Sequence, residues 1–552
     1  MKVYKNLLSE LEQFGIKSEL VIASADNIDS DLAMPCFTLA KEYKKSPQDI
    51  ATDIASQISH PDIEKAEAIA GYVNIWLRSA YLADLTNRGE ELPDNSGKTV
   101  IVEYLSNNLA KPLSIGHLRN ILQGRALTNL HRRLGYNVIT DNHIGDWGSV
   151  FGMWVVGFEK FSSKEQLDSD GNKGLGDVYI KMRRALKEEE EAGSTSLKDA
   201  VQNWLLKLEQ DDPKAWIYHR MFSDISMEDT SRVISLLDVE FDETLGEAFY
   251  QKLARELLQC LVRDKIATIE QDGSIVVGLS AQGIDTPLLL QKSNGAALYA
   301  TSDIATIKYR EDRWNPDKVI YVVGAEQQFH FKQLFAFNRI VEYSDAQLIH
   351  HWYGLVEELD SEGNRSKMSS RSGAVYLEDA LDQARKKAKE VAADGMSDDD
   401  IEKIALGALT FREFTQGHTS NVLFDWDEMF NLQGMSGPYL QYAAVRMASI
   451  LEKANEMPKK HQDYDWQPEH ELLSHYLRYP SVLEASEKEM EPSKIAFYLY
   501  DIAKALNRYY ENTHILSEDP VERSSRLWLI QQLHTRYTEG LAILGIKVPS
   551  KM

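Results

Sequence analysis

Residues 98–120, KTVIVEYLSNNLAKPLSIGHLRN, join an almost unbroken apolar run to a polar loop and then to the start of a helix. The run KTVIVEYL (98–105) is rich in β-branched residues, which is typical of a strand buried on both faces of a parallel sheet. Residues 115–134 carry apolar side chains at a helical period, and Gly135 supplies the usual stop. The next strand-like segment, YNVIT (136–140), completes a β-α-β unit, and a right-handed crossover places its two strands parallel in one sheet.

The remaining sequence predicts a multi-domain α/β protein built around this unit. Residues 1–95 predict a small α+β domain, closed by the strand-like segment GYVNIWL (71–77) and a linker rich in Gly, Pro and charge. Residues 96–430 predict a Rossmann-like parallel-sheet domain, interrupted at about 155–285 by an acidic, mostly helical insertion. Residues 431–552 show helical spacing throughout and predict an all-α bundle.

The charge is distributed unevenly along the chain, and this distribution bears on whether a nucleic acid can be a partner. The 552 residues carry a formal net charge of −24, which by itself argues against a polyanionic partner. Residues 151–430 hold 32 basic and 50 acidic residues, so three quarters of the excess lies there. Residues 431–552 hold 14 basic and 16 acidic residues. A locally basic face in that near-neutral part keeps nucleic acid open as a partner.

Cysteine usage and the apolar runs indicate a reducing compartment and no membrane span. The two cysteines, Cys36 and Cys260, lie far apart, so neither a disulfide framework nor a CxxC zinc site is available. The start, MKVYKNLLSELEQFGI, is amphipathic without an uninterrupted apolar core, and no stretch reaches the ~18–20 apolar residues that cross a bilayer. We therefore expect a cytoplasmic protein.

The loop between the first strand and its helix carries the first chemical signal. Pro112 fixes a turn, Gly116 removes a side chain where a ligand has to come close, and His117 lies in the first helical turn. A helix N-terminus offers N–H groups and partial positive charge, which suit a phosphate. A histidine there can stabilise charge that develops on a phosphoryl oxygen. These residues alone leave open a plain helix-capping role for Gly116 and His117.

Two strings around this loop resemble one enzyme family. SIGH (114–117) resembles the HIGH signature of class I aminoacyl-tRNA synthetases. Its surroundings, NNLAKPLSIGHLRN (107–120) together with TDNHIGDWGSVFG (140–152), resemble arginyl-tRNA synthetases in particular. Ser114 stands where the signature has its first histidine, and a hydroxyl can still donate a hydrogen bond.

A later string, RSKMSSRSG (365–373), resembles the family's KMSKS loop. Such a loop neutralises charge on the departing pyrophosphate of ATP. Ser370 stands where the family has its second lysine, and we hypothesise that Lys111 and Arg371 supply the missing charge. The resemblance implies His117 and Lys367 as catalytic residues, and the hypothesis of a compensating charge adds Lys111. It implies an ATP-binding set of Ser114, Gly116, His117, Lys367, Met368, Ser369, Ser370 and Arg371.

The same resemblance implies a pocket for an arginine side chain. A guanidinium is recognised best by carboxylates that pair with it in a plane. By resemblance Glu247 and Asp303 bind this group, and Ala248 follows where the family has a serine. Each acidic residue taken alone is also explained by surface charge. The implied arginine-binding set is Asn108, His143, Glu247, Tyr299, Asp303 and Gln327.

Two spacings support this pocket. Tyr299 and Asp303 lie four residues apart, which places them on one face of a helix. Asn142, His143 and Asp146 follow the second strand at the carboxyl edge of the sheet, where ligands of doubly wound sheets bind. A buried Asp-His network that holds the loop would produce the same pattern.

The flanking domains resemble the tRNA-binding parts of the family. MSGPYLQYAAVRMASIL (435–451) and YDIAKALNRYYENTHIL (500–516) resemble its helical anticodon-binding domain, and the N-terminal domain resembles the additional domain that contacts the tRNA corner. Tyr442, Arg446 and Arg508 are the candidate tRNA contacts, through base stacking and phosphate pairing. Aromatic and aliphatic residues at helical spacing also suit a plain core.

The resemblance implies that L-arginine reacts with ATP, with Mg²⁺ present, and is then transferred to the terminal adenosine of its tRNA. The implied partners are tRNA(Arg) and L-arginine, with no membrane, and we expect a monomer. Two alternatives stay open. A related nucleotidylyltransferase would share the SIGH-type loop, but it would lack the NHIGDWG string and the helical C-terminal domain. A non-catalytic tRNA-binding paralogue would be consistent with Ser114 and Ser370 at motif positions.

Overall fold

The computed structural model describes residues 4–23, 30–88, 92–109, 112–293, 295, 298–359, 365–367, 375–393 and 395–552. Within them, the description does not extend to the side chains of Ile22, Ala23, Tyr299, Leu359, Ser366 and Lys367. The chain forms two compact units. The large unit comprises residues 95–391 and 408–429, and the small unit comprises residues 1–94, 392–407 and 430–552.

The N-terminal part of the small unit is an antiparallel sheet with helices packed on it. Its elements are α1 (Lys5–Leu11), β1 (Ile22–Ala23), β2 (Leu32–Pro35), α2 (Ala40–Tyr43), α3 (Pro47–Ala55), β3 (Ile63–Ile69), β4 (Tyr72–Leu77) and α4 (Ser79–Asn87). The strands lie in the order β1-β2-β4-β3. Ser46 caps α3 by accepting the Asp49 N–H, and Pro47 occupies the first helical position, so this helix begins where the sequence directs it.

A five-stranded parallel sheet forms the centre of the large unit. The elements between residues 95 and 429 are β5 (Thr99–Glu103), α5 (Ile115–Arg133), β6 (Asn137–Asn142), α6 (Ser149–Phe161), α7 (Lys164–Glu191), α8 (Ser196–Glu209), α9 (Pro213–Leu236), β7 (Glu243–Thr244), α10 (Glu247–Arg263), β8 (Thr268–Ile269), β9 (Ile275–Val277), β10 (Leu288–Gln291), α11 (Tyr299–Trp314), β11 (Lys318–Gly324), α12 (Gln328–Val341), β12 (Gln347–Tyr353), β13 (Val356–Leu359), β14 (Arg365–Lys367), α13 (Leu377–Val391), α14 (Asp398–Glu413), β15 (Val422–Phe424) and α15 (Trp426–Met429). Residues 398–407 of α14 belong to the small unit. The sheet order is β12-β11-β5-β6-β7, and each pair is parallel.

The predicted β-α-β unit is confirmed. Strands β5 and β6 pair in parallel from Thr99↔Asn137 to Glu103↔Asp141, and α5 connects them. Gly135 follows the helix at φ +84°, in the left-handed region that glycine enters without a Cβ penalty. The carboxyl ends of β5, β6 and β11 therefore meet at one edge of the sheet, and the loops that leave this edge carry the residues of the predicted site.

Residues 155–285, the predicted insertion, are mainly helical, but they also contain β7 of the central sheet, and two small sheets were not predicted from the sequence. Helices α6 to α9 account for the acidic region, and the run of four glutamates at 188–191 closes α7. Strands β8, β9 and β10 form one antiparallel sheet, and β14, β13 and β15 form a mixed one. These strands have two to four residues each, which is too short for an alternating pattern to stand out.

The C-terminal part of the small unit consists of helices, as predicted. They are α16 (Gly437–Ala454), α17 (His470–Lys488), α18 (Ser493–Asn512) and α19 (Pro520–Leu544). Helix α17 packs against α4 of the N-terminal part. At this contact His470 bridges two residues: its Nε2 lies 3.2 Å from Asp31 Oδ1, and its Nδ1 lies 2.9 Å from Ser79 Oγ. The small unit thus contains both segments that the sequence predicts as separate flanking domains.

A buried ion triad lies where β5 and β6 end. Arg310, on α11, is 1% exposed and donates to Asp141 Oδ2 at 2.7 Å and to Glu103 Oε2 at 2.6 Å. Burial opposes the charged form of Arg310, but the two carboxylates outweigh it and raise the pKa of the guanidinium above its usual value. The cation therefore neutralises two acidic residues that end neighbouring strands.

We predict that Arg310→Met lowers the free energy of unfolding by about 3–5 kcal/mol, because two carboxylates are left buried without a counter-charge. Arg313→Met is the matched control, since Arg313 lies on the same helix and makes an exposed pair with Glu243. Urea unfolding followed by circular dichroism compares the two variants. A midpoint for Arg310→Met equal to that of the control would contradict the prediction.

Candidate active site

The chain leaves β5 through two residues in the left-handed region. Leu105 has φ +70° and Ser106 has φ +42°, a conformation that costs non-glycine residues about 1–2 kcal/mol each. Two side-chain amides hold this turn. The Leu105 N–H donates to Oδ1 of Asn120, and the Ser106 N–H donates to Oδ1 of Asn142 at 3.1 Å. Such strain persists where the surroundings fix it, and here it opens the loop of the predicted site.

The SIGH motif forms the first turn of α5. Ser114 is the N-cap, and its backbone N–H donates to Nδ1 of His117 at 3.0 Å. Because Nδ1 accepts this bond, the proton of a neutral His117 lies on Nε2, the nitrogen that a phosphoryl oxygen would require as donor. Among the described residues, a Cβ built on Gly116 would meet just the Ser114 hydroxyl, at 3.7 Å. Apart from the chain neighbours of Gly116 and the backbone of its own helix, no other described heavy atom lies within 4 Å of that position.

The segment with the second motif is anchored beside this helix. On its N-terminal side β14, which ends at Lys367, pairs with β13, and β13 pairs with β15. On its C-terminal side the Ile115 N–H donates to Val375 O at 3.0 Å, and the Leu377 N–H donates to Leu113 O at 2.8 Å. The two motifs are far apart in sequence, and the fold brings their flanking residues into direct contact.

Some of the predicted site residues fall outside the described part of the chain. Those that lie outside it altogether are Lys111, Met368, Ser369, Ser370 and Arg371. For Lys367 and Tyr299 the backbone is described and the side chain is not. Tyr299 begins α11 and Asp303 follows one turn later, so the predicted helical spacing is confirmed.

Three carboxylates from separate elements influence one another electrostatically. Asp146 follows β6, Glu247 is the first residue of α10, and Asp303 lies in α11. Burial, together with the negative charges of Asp303 and Asp146, raises the pKa of Glu247 to about 8. No described lysine or arginine forms an ion pair with any of the three, and the described charged-group contacts of Asp146 and Asp303 are to histidines. We refer to Asp146, Glu247 and Asp303 as the acidic cluster.

Histidines surround this cluster, and two of them were missed by the sequence analysis. His330 Nε2 lies 2.7 Å from Asp303 Oδ2, and His219 Nε2 lies 3.0 Å from Asp146 O. The predicted His143 is 8% exposed, its Nε2 lies 3.9 Å from Asp303 Oδ1, and neither ring nitrogen has a hydrogen-bond partner in the described chain. His330 lies three residues after Gln327 in EQQFH, so its position after β11 was the available signal.

A contact of Asp146 shows why the first turn of α10 can carry alanine at position 248, where the family has a serine. Oδ1 of Asp146 accepts the Ala248 N–H at 2.9 Å and so caps the start of α10. The contact uses the backbone of Ala248, so a serine hydroxyl at this position is not needed for the cap.

The two remaining predicted pocket residues lie at the same edge of the sheet. Asn108 is exposed and forms an isolated parallel bridge with Gly145 in the loop after β6. Gln327 is half-buried in a short 3₁₀ turn directly after β11. Asn108, His143 and Gln327 thus follow β5, β6 and β11, which is the arrangement that the parallel sheet predicts.

Comparisons with known families agree with this geometry. The family model "tRNA synthetases class I (R), catalytic domain" matches residues 81–426, "DALR anticodon binding domain" matches 440–552, and "Arginyl tRNA synthetase N terminal domain" matches 2–77. The chain belongs to the arginyl-tRNA synthetase family. The match to the catalytic model includes both motif segments and all three residues of the acidic cluster.

Individual members of the family resemble the chain over nearly its whole length. An arginine–tRNA ligase of Exiguobacterium sibiricum is 34% identical and covers 95% of this chain and 93% of its own length. One of Streptococcus suis is 36% identical over 95% of this chain and 94% of its own. The solved arginyl-tRNA synthetase of Thermus thermophilus superimposes with a TM-score of 0.81 at 23% identity, covering 99% of this chain and 100% of its own, and thereby supports the fold.

The predicted tRNA contacts of this family member lie in the helices of the small unit. Tyr442, on α16, is 40% exposed. The Arg446 guanidinium lies 4.2 Å above the ring of Tyr510, and Arg508 pairs with Glu471 on α17. Their roles in tRNA binding stay predictions.

The described residues contain neither a cluster of metal ligands nor a helix that could span a membrane. No group of three or more His, Cys, Asp or Glu side chains in that part of the chain is arranged to hold a metal ion. No helix there is both long and apolar enough to cross a membrane.

We predict that Gly246→Ala destabilises the large unit. A Cβ at this position would lie 2.2 Å from Asp146 Oδ2, so the carboxylate would have to move and release its cap on α10. The expected loss is about 1–3 kcal/mol. Gly278→Ala is the control, because a Cβ there has no described heavy atom within 4 Å. Thermal denaturation compares them, and equal melting temperatures would refute the prediction.

Proposed function

We propose that this chain activates L-arginine with ATP and transfers it to its tRNA. The observation that carries the arginine assignment is the acidic cluster, which has no described lysine or arginine partner. A guanidinium supplies the absent positive charge and can bond two carboxylates at once. In this proposal Glu247 and Asp303 bind the guanidinium, and Asp146 holds the start of α10. The residues proposed to orient the rest of the amino acid are Asn108, His143, Tyr299 and Gln327.

The proposed first step is an in-line displacement at the α-phosphate of ATP. An oxygen of the arginine carboxylate bonds to phosphorus, and the bond from that phosphorus to the pyrophosphate oxygen breaks. No side chain forms a covalent bond, so positioning and electrostatic stabilisation supply the rate. His117 would donate from Nε2 to a phosphoryl oxygen, beside Ser114 and Gly116. The residues proposed for the triphosphate are Lys111, Lys367, Met368, Ser369, Ser370 and Arg371.

Magnesium enters this proposal with the nucleotide. The described residues offer no cluster of metal ligands, and Mg²⁺ is commonly bound through substrate phosphates, so we propose MgATP as the substrate. No step attributed to a side chain depends on the metal.

The proposed second step transfers arginine to tRNA. A hydroxyl of the terminal adenosine attacks the carbonyl of arginyl-adenylate, and AMP leaves. Tyr442, Arg446 and Arg508 are proposed tRNA contacts. We further propose a cytoplasmic, monomeric enzyme, and family membership and the low cysteine content support this assignment.

Arginine-dependent exchange of pyrophosphate into ATP, measured with and without tRNA, tests the function. We expect exchange with arginine and not with lysine. The rival is a non-catalytic paralogue, which the serines at positions 114 and 370 favour. Folded protein that gives no exchange in either condition would support this rival and reject the proposal.

We predict that Gly116→Ala weakens ATP binding without lowering the stability of the fold. The described structure leaves room for the methyl group, and alanine inside a helix is favoured over glycine by about 0.5–1 kcal/mol. The melting temperature should hold or rise, while the KM for ATP in the exchange assay should rise about tenfold or more because phosphates lose close access. An unchanged KM for ATP would remove Gly116 from the proposed site.

We predict that arginine binding strengthens as pH rises towards 8. In the free protein the pKa of Glu247 is raised to about 8, so Glu247 is mostly protonated at pH 6 and has to lose its proton to pair with a guanidinium. The KM for arginine should therefore fall by up to about tenfold per pH unit below 8 and level off above it. Glu247→Gln is the control: its KM should be raised and nearly independent of pH. A slope that persists in Glu247→Gln would assign the titration to another group.

A further inference from the structure

A buried guanidinium connects the SIGH helix to the sheet that carries the second motif. Arg119 lies on α5 two residues after His117 and is 1% exposed. Two residues turn an α-helix by about 200°, so Arg119 leaves α5 on the side opposite to His117. A charged side chain buried so fully requires a complete set of partners.

Arg119 has such a set. Its Nε donates to Glu413 Oε2 at 2.8 Å, and its Nη2 donates to Glu413 Oε1 at 2.9 Å and to His418 O at 3.1 Å. Its Nη1 donates to Ser420 O at 2.9 Å and to Leu355 O at 3.3 Å. All five N–H groups of the guanidinium are thereby used. One cation fixes two separate chain segments, residue 355 and residues 413–420, to α5.

These partners stand directly before two strands of one small sheet. Leu355 precedes β13, and His418 and Ser420 precede β15. Strand β13 is the middle strand of the order β14-β13-β15, and its Glu357 is paired with Lys367 at the end of β14. Arg119 therefore holds the base of the sheet whose edge strand leads into the second motif.

A second residue of α5 reinforces the same pair. Gln123, 0% exposed and one helical turn after Arg119, donates to Glu413 Oε1 at 2.8 Å and lies 3.1 Å from His351 Nε2 through its own Oε1. Burial lowers the pKa of His351 well below its usual value, so the neutral ring donates to Gln123. The His351 ring stacks on His418 at 4.2 Å, which ties β12 into the network.

We infer that Arg119, Glu413 and Gln123 are positioning residues of the activation step, which set β14 in register against the helix end that bears His117. This inference rests on the proposed function. A triphosphate held at the helix end has to meet the strand end at Lys367, so the spacing of these two elements is under chemical constraint. A displacement of about 1 Å in such an arrangement lowers rates on the order of 100-fold.

The double variant R119M/E413M tests the inference without leaving a buried charge. Replacement of a buried ion pair by apolar residues of similar size is commonly neutral for stability, whereas either single change would strand a charge. R412M is the matched control, because Arg412 neighbours Glu413 and donates to Leu423 O on β15 at 2.7 Å, and its described contacts do not include α5.

We expect the double variant to fold and to keep the KM for arginine within about twofold, while kcat for arginine-dependent pyrophosphate exchange falls by about 30-fold or more. R412M should keep both values near wild type. R119K provides a further test: the positive charge is kept, but a lysine has three N–H donors where Arg119 uses five, so part of the anchor is lost and kcat should fall.

Amide hydrogen exchange of the full-length protein gives a readout that does not depend on activity. In R119M/E413M the amides of β13 and β14 should exchange faster, and those of β5 and β6 should not. A folded double variant with kcat within threefold of wild type and unchanged exchange in β13 and β14 would overturn the inference, as would a parallel rise in the KM for arginine. If the wild type showed no pyrophosphate exchange, the proposed function would be rejected. The comparison of hydrogen exchange would then be the remaining test of the inference.

Discussion

The side-chain amide of Asn120 joins the SIGH helix to three strands of the central sheet. Its Oδ1 accepts the Leu105 N–H after β5, and its Nδ2 donates to Val322 O in β11 at 2.6 Å and to the Tyr353 hydroxyl at the end of β12 at 3.2 Å. Asn120 is 4% exposed, so each of these groups would be left unsatisfied without it. The strained turn after β5 and the position of the helix end both depend on this amide.

The same edge of the sheet separates two kinds of acidic residues. Glu103 and Asp141 end their strands against Arg310, which neutralises them inside the protein. Asp146, Glu247 and Asp303 lie in the following loops and helices; in the described chain Asp146 and Asp303 contact histidines, and none of the three pairs with a lysine or arginine. Burial, together with the charges of Asp303 and Asp146, raises the pKa of Glu247 to about 8. The proposed arginine site therefore uses the carboxylates that have no described cation, whereas those of the triad are already neutralised by Arg310.

The parts of this structure that the sequence predicts well are those with local signals. A β-branched run, a helical period and a terminal glycine gave β5, α5 and β6, and short motifs directed attention to His117, Glu247 and Asp303. The strands β8 to β10 and β13 to β15 are too short to show a pattern. Arg119 and Glu413 were missed for another reason, since they lie 294 residues apart and each reads as an ordinary charged helix residue. The role of His330 depends on its contact with Asp303, which the sequence alone does not show.

The capping role and the phosphate role of His117 are compatible, because they use different nitrogens. Nδ1 accepts the backbone N–H of Ser114, which fixes the tautomer and leaves the proton on Nε2. The donor to Nδ1 is the main chain of residue 114, so this bond is available with serine as well as with histidine at that position. The departure from the HIGH signature at Ser114 therefore leaves this backbone contact in place, and the Ser114 hydroxyl adds a second contact to His117, with Oγ 3.0 Å from Nδ1. Helix capping and phosphate binding, which the sequence leaves as alternatives, can therefore both be roles of His117, because the capping contact fixes the tautomer that the proposed phosphate contact requires.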